Sequence, residues 1–128
     1  AARPAVADGG LIVLCADLPA GAGDGPGERN FLAVLSAARS PDELLARGLR
    51  DALGPGGQRS FVLARVLERH RLAVVGAADP GLLAPLAHLG VAAFDSIAAA
   101  LAVEDARLGR RASVLAVADA MSTVVGAP

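Results

Sequence analysis

The sequence predicts an α/β domain of three layers: a mostly parallel sheet of three or four strands with helices on both faces. Two observations predict it. Short, mostly apolar runs recur at Leu11–Cys15, Leu72–Val75 and Ala112–Ala118, as they do in strands buried on both faces. Between them lie segments whose apolar residues return at i, i+3 and i+4, the period of a helix with one buried stripe. Strands that alternate with helices need crossovers, and right-handed crossovers fix most of the topology.

Residues 1–8 read as a frayed lead-in or the tail of a helix, and Gly9-Gly10 as a turn into the first strand. Asp17 to Gly27 is a glycine- and proline-rich loop. Glu28 to Ala38 reads as a helix with Phe31, Val34 and Leu35 on its stripe. Ser40-Pro41-Asp42-Glu43 is a capping box with proline at the first helical position. The helix it opens buries Leu45, Leu49, Ala52 and Leu53, and Gly54-Pro55 stops it. Ser60 to Arg69 is a helix with Val62, Leu63, Val66 and Leu67 inward and Arg65, Glu68 and Arg69 in water. It feeds through His70-Arg71 into the strand Leu72–Val75. Asp79-Pro80 caps a short helix that Pro85 kinks or shortens and Gly90 ends. Val91–Phe94 is a short strand or connector. Asp95 or Ser96 caps a helix carrying Ile97, Ala100, Leu101 and Leu108, with Gly109 just past its end. Ala112–Ala118 is the last buried strand.

Size and composition narrow the function. The 128 residues suffice for one domain, residues 1–128, and not for two. Hydrophobic residues make up 54%, which excludes a disordered chain. The only aromatic residues are three phenylalanines, so the core is built from Ala, Val and Leu. The net charge of −1 gives no basic surface for nucleic acid or an anionic membrane. All twelve basic residues are Arg, which removes Lys-based Schiff-base or cofactor-anchoring chemistry from this chain. The single Cys15 excludes an internal disulfide and a Cys-built zinc site. No apolar run approaches the length that crosses a bilayer, and we expect a cytoplasmic protein. The chain opens on Ala1 rather than Met, and we expect it to belong to a longer polypeptide.

Ligands of open parallel sheets bind at the carboxyl ends of the strands. Three apolar runs end in Ala-Asp: Ala16-Asp17, Ala78-Asp79 and Ala118-Asp119. The plain reading makes Asp79 a helix cap and the others loop residues; the sharper one is a carboxylate rim. Gly21, Gly23, Gly25 and Gly27 follow a strand, yet G-x-G-x-x-G fails from Gly21 at Pro26 and from Gly23 at Glu28. His70 and His88 read as helix-terminal residues and Cys15 as an inert buried thiol. Ser36, Ser60 and Ser113 stand in no nucleophile elbow. No catalytic constellation is visible. Gln58-Arg59 differs in position: it opens a helix after a glycine turn, where unpaired N–H groups and the dipole favour an anion. A carboxylate substrate suits Arg59 bidentately.

The run Gly9-Gly10-Leu11-Ile12-Val13-Leu14-Cys15-Ala16 resembles the Gly-Gly-x-Ile-Ile-Leu-x-Ala strand of the nickel-dependent lactate racemase family. Gln58 to His70 resembles that family's helix that begins Asp-Gln-Trp and continues Leu-Ala-Arg-Ile-Leu. Ser96 to Leu101 resembles its Ser-Leu-Glu-Glu-Ala-Leu helix. The likeness keeps the same order over nearly the whole chain and covers the C-terminal domain of a larger two-domain enzyme. It implies a racemase or epimerase of small 2-hydroxy acids that uses a nickel-pincer nucleotide. The cofactor-attaching Lys, the nickel ligand and the acid/base His residues of the family lie in the N-terminal domain, which is then this chain's partner. This chain alone is expected to be inactive. Gln58 stands at the family's Gln, Gly57 replaces its Asp, and Arg59 replaces a site-lining Trp. The resemblance thus implies Gln58 and Arg59 as substrate-binding residues, with a more acidic hydroxy acid than lactate. Two other readings stand beside it: a stand-alone Rossmann-like nucleotide-binding domain, and a non-catalytic interaction module.

Overall fold

The computed structural model describes residues 5–19, 21, 23–50, 53–77, 80–120 and 122. The elements run β1 (Leu11–Cys15), α1 (Pro26–Ala37), α2 (Pro41–Arg50), α3 (Gly57–Leu67), β2 (Arg71–Val75), a 3-10 segment (Pro80–Leu89), β3 (Val91–Phe94) and α4 (Ile97–Leu108). Among the described residues the strands form one open sheet in the order β1-β2-β3, with both pairs parallel. No helix among these residues is long and apolar enough to cross a membrane. The α/β class holds, with three strands.

Register assigns the faces. Ile12, Leu72 and Val91 stand side by side across the sheet. All three belong to the core with Val34, Leu35, Leu44, Leu45, Ala64, Leu67, Leu86 and Leu89. This face therefore meets α1 to α3 and the 3-10 segment. Side chains alternate along a strand, so Arg71 points the other way, where it pairs with Glu104 of α4. α4 packs on all three strands from that second face.

Local chemistry starts and stops the helices as expected. Glu43 N–H donates to Ser40 Oγ at 3.2 Å, and the Glu43 carboxylate accepts from Arg39 N–H at 3.0 Å. Of the two candidate caps of α4, Ser96 acts, accepting from Ala99 N–H at 3.1 Å. α1 and α3 each start earlier than the apolar period suggests, at Pro26 and Gly57. The segment around Pro85 is 3-10 rather than α-helical; a proline there withholds one N–H from the ladder. The cap expected at Asp79 and the burial expected of Ala52 lie outside the described residues.

Several expectations are corrected. β1 is an edge strand: Leu14 is 46% exposed and Cys15 is exposed, so the inert buried thiol is not found. On α2, Leu44 and Leu45 are buried while Leu49 is 79% exposed. Gly48 bears on this, because its missing side chain leaves room for the Phe61 ring of α3. On α3 the buried stripe is Ser60, Ala64 and Leu67, and Val62 is exposed. Small residues at i and i+4 let α3 approach its neighbours closely, and Ser60 Oγ donates to Phe31 O at 3.4 Å. Ala112–Ala118 forms no strand: the backbone is irregular, with Val114 61% and Leu115 65% exposed.

Candidate functional site

α3 passes into β2 through Glu68–His70, so it lies antiparallel to the strand and its first turn reaches the carboxyl end. The first turn of α1 lies beside it. Gly56 caps α3 with a left-handed φ of 78°, and a Cβ there would collide with the Gly27 carbonyl. Only glycine satisfies both conditions. Asn30 fastens the junction: its Nδ2 donates to Leu53 O at 2.7 Å and to Pro55 O at 2.8 Å. Neither Gly25 nor Gly56 offers a capping side chain; the Gly57 and Arg59 N–H groups instead bond Gly54 O and Gly56 O, each at 3.1 Å.

Two charges sit over these turns. Glu28 folds back over the loop, where a Cβ on Gly23 would lie 3.0 Å from its Cγ. Its Oε1 accepts from Arg59 Nη1 at 3.4 Å. A negative group in a first helical turn is favoured by the dipole, so the glycine loop already carries an anion from its own chain. Arg59 remains largely exposed, and Glu28 engages only one corner of its five-donor fork. This guanidinium can accept an incoming carboxylate in exchange for, or beside, Glu28.

Gln58 is exposed on a different side of α3. It borders a shallow groove of about 340 Å³ with Gly48, Leu53, Gly54, Phe61 and Val62. Adjacent residues on a helix diverge by roughly 100°, and the structure separates the pair accordingly: Arg59 toward α1, Gln58 toward α2. Glu28 and Asn30 do not emerge from sequence reasoning. An acidic residue in the first turn after a glycine loop is the signal that marks Glu28; nothing local marks Asn30, whose partners lie more than twenty residues away.

The other sequence candidates do not join this site. Asp17 is exposed just beyond β1. Asp119 follows irregular chain, adopts φ 51° and accepts from Ser122, while Asp79 lies outside the described residues. Asp119 therefore does not stand at the end of a strand, as the sharper reading of a carboxylate rim requires. His88 Nε2 lies 2.6 Å from Ala38 O. His70 is buried between α3 and β2, at the amino end of the sheet, with Nδ1 lacking a partner among the described residues.

That amino end also holds the strongest carboxylate. Glu104 is 4% exposed. It accepts from Arg107 Nη2 at 2.8 Å and Nε at 3.1 Å, and also from Arg71. The Arg107 hydrogen bonds, aided by Arg71 and opposed by burial, pull its pKa down to about 2. Arg107 Nη2 also donates to Gly9 O at 3.3 Å. The network pins the end of α4 to the start of β1 and β2. Nearby, the Arg69 hydrogen bond at 2.8 Å holds the Asp8 carboxyl below its ordinary range.

No protein-family model and no curated protein matches this sequence. Among solved structures, the chain is similar to the lactate racemase apoprotein from Thermoanaerobacterium thermosaccharolyticum, with a TM-score of 0.67 and 19% identity. The match covers 81% of this chain and 24% of that one, so this chain spans about a quarter of the protein it resembles. At that identity the likeness establishes a shared fold.

Proposed function

We propose that this chain is the C-terminal, site-closing domain of a lactate-racemase-like racemase or epimerase of 2-hydroxy acids. The observation that supports this reading most directly is the fold likeness over 81% of the chain to a quarter of a lactate racemase. The ordered resemblance of Gly9–Asp17, Gln58–His70 and Ser96–Leu101 agrees with it. In this reading the N-terminal catalytic domain of the same protein supplies the reacting groups.

The residues of this chain do not fit the nickel-pincer nucleotide that the family resemblance implies. The chain has no lysine to attach it. One histidine is set against the Ala38 carbonyl and the other is buried at the far end of the sheet. Among the described residues no three of His, Cys, Asp or Glu gather to hold a metal. This chain's own contribution is therefore substrate binding. Arg59 pairs with the substrate carboxylate through its planar fork; Gln58, which borders the groove toward α2, would meet a different part of the bound molecule. A fixed positive charge where the family has a flat Trp favours a second acidic group on the hydroxy acid.

The test is an assay of the complete gene product, supplied with cofactor, for interconversion of enantiomers across mono- and dicarboxylic 2-hydroxy acids. Racemisation with a preference for a dicarboxylic acid is expected. Failure to interconvert any of them by the loaded protein would overturn the reading. Unchanged preference in both Arg59→Trp and Arg59→Ala would remove Arg59 from it.

A further inference from the structure

We propose that the free edge of β3 is a two-fold contact between two copies of this chain, joined strand to strand in the antiparallel sense so that their sheets become one.

The edge is open and unblunted. Leu72 N–H donates to Gly90 O at 3.3 Å, so Gly90, and by alternation Ala92 and Phe94, face β2. Val91 and Ala93 therefore turn their N–H and C=O groups to the other side, which no strand covers among the described residues. Val91-Ala92-Ala93-Phe94 carries no charge or proline that would keep another strand away.

The layers on either side are apolar at the same edge. A cleft of about 440 Å³ follows β3, lined by Leu83, Ala84 and Ala87 of the 3-10 segment and by Ala100 and Val103 of α4. Ala84 and Ala87 are exposed, and Val103 is 52% exposed. On α4, Ala99, Val103 and Ala106 follow one another at i+4 and i+3 and are all exposed. The charges of α4 are held elsewhere: Glu104 is buried, Arg107 reaches Gly9 O, and Asp105 accepts from Ala112 N–H. Arg71, the charged residue in the cleft lining, is tied to Glu104 and to Gly9 O.

An apolar surface that runs through all three layers selects the occupant. A lone extended peptide would satisfy the middle layer only. A second copy turned about a two-fold axis normal to the sheet sets β3 on β3, α4 on α4 and one 3-10 segment on the other, as an isologous contact requires. With the axis between the two Ala92 residues, Val91 of each copy stands opposite Ala93 of the other, and the pair exchanges both backbone bonds. The small side chains of Ala92 and Ala93 leave room at the axis. Charge agrees with this direction. Each exposed Asp95 comes to the amino end of the other copy's sheet, where Arg71 and Arg107 outnumber Glu104.

Sedimentation of the complete gene product over a range of concentrations tests this. A dimer is expected in the wild type, with slowly exchanging Val91 and Ala93 amides. Ala92→Lys, at an exposed position, sets two like charges at the axis and should raise the dissociation constant at least about 100-fold. The Val91 and Ala93 amides should then exchange fast. Mixing Ala92→Lys with Ala92→Glu should restore the dimer, which a folding defect would not allow. Leu14→Lys, at a 46% exposed position on β1, should leave the dimer intact. A wild type that is monomeric at every concentration overturns the proposal without recourse to any variant. A dimer that survives Ala92→Lys, or one that Leu14→Lys dissolves, overturns it because the contact lies elsewhere. Slow exchange of Val91 and Ala93 that persists in monomeric Ala92→Lys overturns it as well, because another domain of the same protein then covers the edge.

Discussion

The two ends of the sheet are built by opposite rules. At the amino end charge is buried and paired: Glu104 is gripped by two guanidiniums, one of which also holds the Gly9 carbonyl. At the carboxyl end charge is exposed and loosely paired: Arg59 meets Glu28 at 3.4 Å over two helix starts that lack side-chain caps. A desolvated, multiply bonded pair fixes elements in place, and removing one partner is costly. An exposed pair contributes little and exchanges partners easily. The contrast assigns stability to the first end; the second keeps a cation open to exchange, as the proposed recognition role requires.

The largest expected effect lies at the amino end. Glu104→Ala leaves two arginines without their partner and should cost about 3 kcal/mol in denaturant unfolding. The same residue predicts the acid response. Its folded pKa is lowered to about 2, so the folded state releases the proton more readily than the unfolded chain. Its stabilisation is complete above the ordinary carboxylate range and fades as pH falls toward 2, by at most about 3 kcal/mol. Glu104→Gln should flatten that part of an acid-unfolding curve followed by circular dichroism. A curve that kept its slope would show that the amino end does not act as described.

Gly56 sharpens the comparison from the other side. Gly56→Ala forces a side chain into a left-handed φ against the Gly27 carbonyl and should destabilise by roughly 2 kcal/mol. If the proposed site is right, part of that loss appears as weaker substrate binding in the complete protein, because the two helix starts must separate. A purely thermal effect with unchanged KM would place the functional surface elsewhere. A smaller effect is expected at Ser40, where the cap restrains α2 without touching either charged end. Ser40→Ala removes one acceptor for Glu43 N–H and should cost about 1 kcal/mol, with no change in substrate preference.

These differences explain what the sequence could reveal. Leu11–Cys15 and Leu72–Val75 are legible as strands from their short apolar runs, and Val91–Phe94 is legible as a strand or connector; Ala112–Ala118 shows the limit, because hydropathy alone does not say that a run finds a partner strand. Burial is less legible. Hydropathy favours large side chains, so Val62 and Leu49 look internal, whereas the tight contacts are made by Ser60, Ala64 and Gly48. Position within the sheet is not local information either: nothing in Leu14-Cys15 says that it lies on an edge. At the site, the helix start at Gln58-Arg59 is legible from the glycine turn before it. Its bond to Glu28 is not, because that contact bridges residues thirty-one apart.

The smallest effect on stability is expected from Arg59 itself, and it bears most directly on the contrast. Its side chain is exposed and its one ion pair is long, so Arg59→Ala should shift unfolding by less than about 0.5 kcal/mol. Glu28→Gln should be equally mild. If the carboxyl end recognises a carboxylate, the two changes part company in binding. Arg59→Ala should raise KM for an acidic 2-hydroxy acid about tenfold. Glu28→Gln should lower it, because the guanidinium no longer has an internal anion to exchange. Opposite shifts in KM from two substitutions that leave the fold equally stable would establish that Glu28 and the substrate compete for the same cation. Parallel shifts would make the pair a structural bridge between α1 and α3, and the recognition surface would then move to the Gln58 groove.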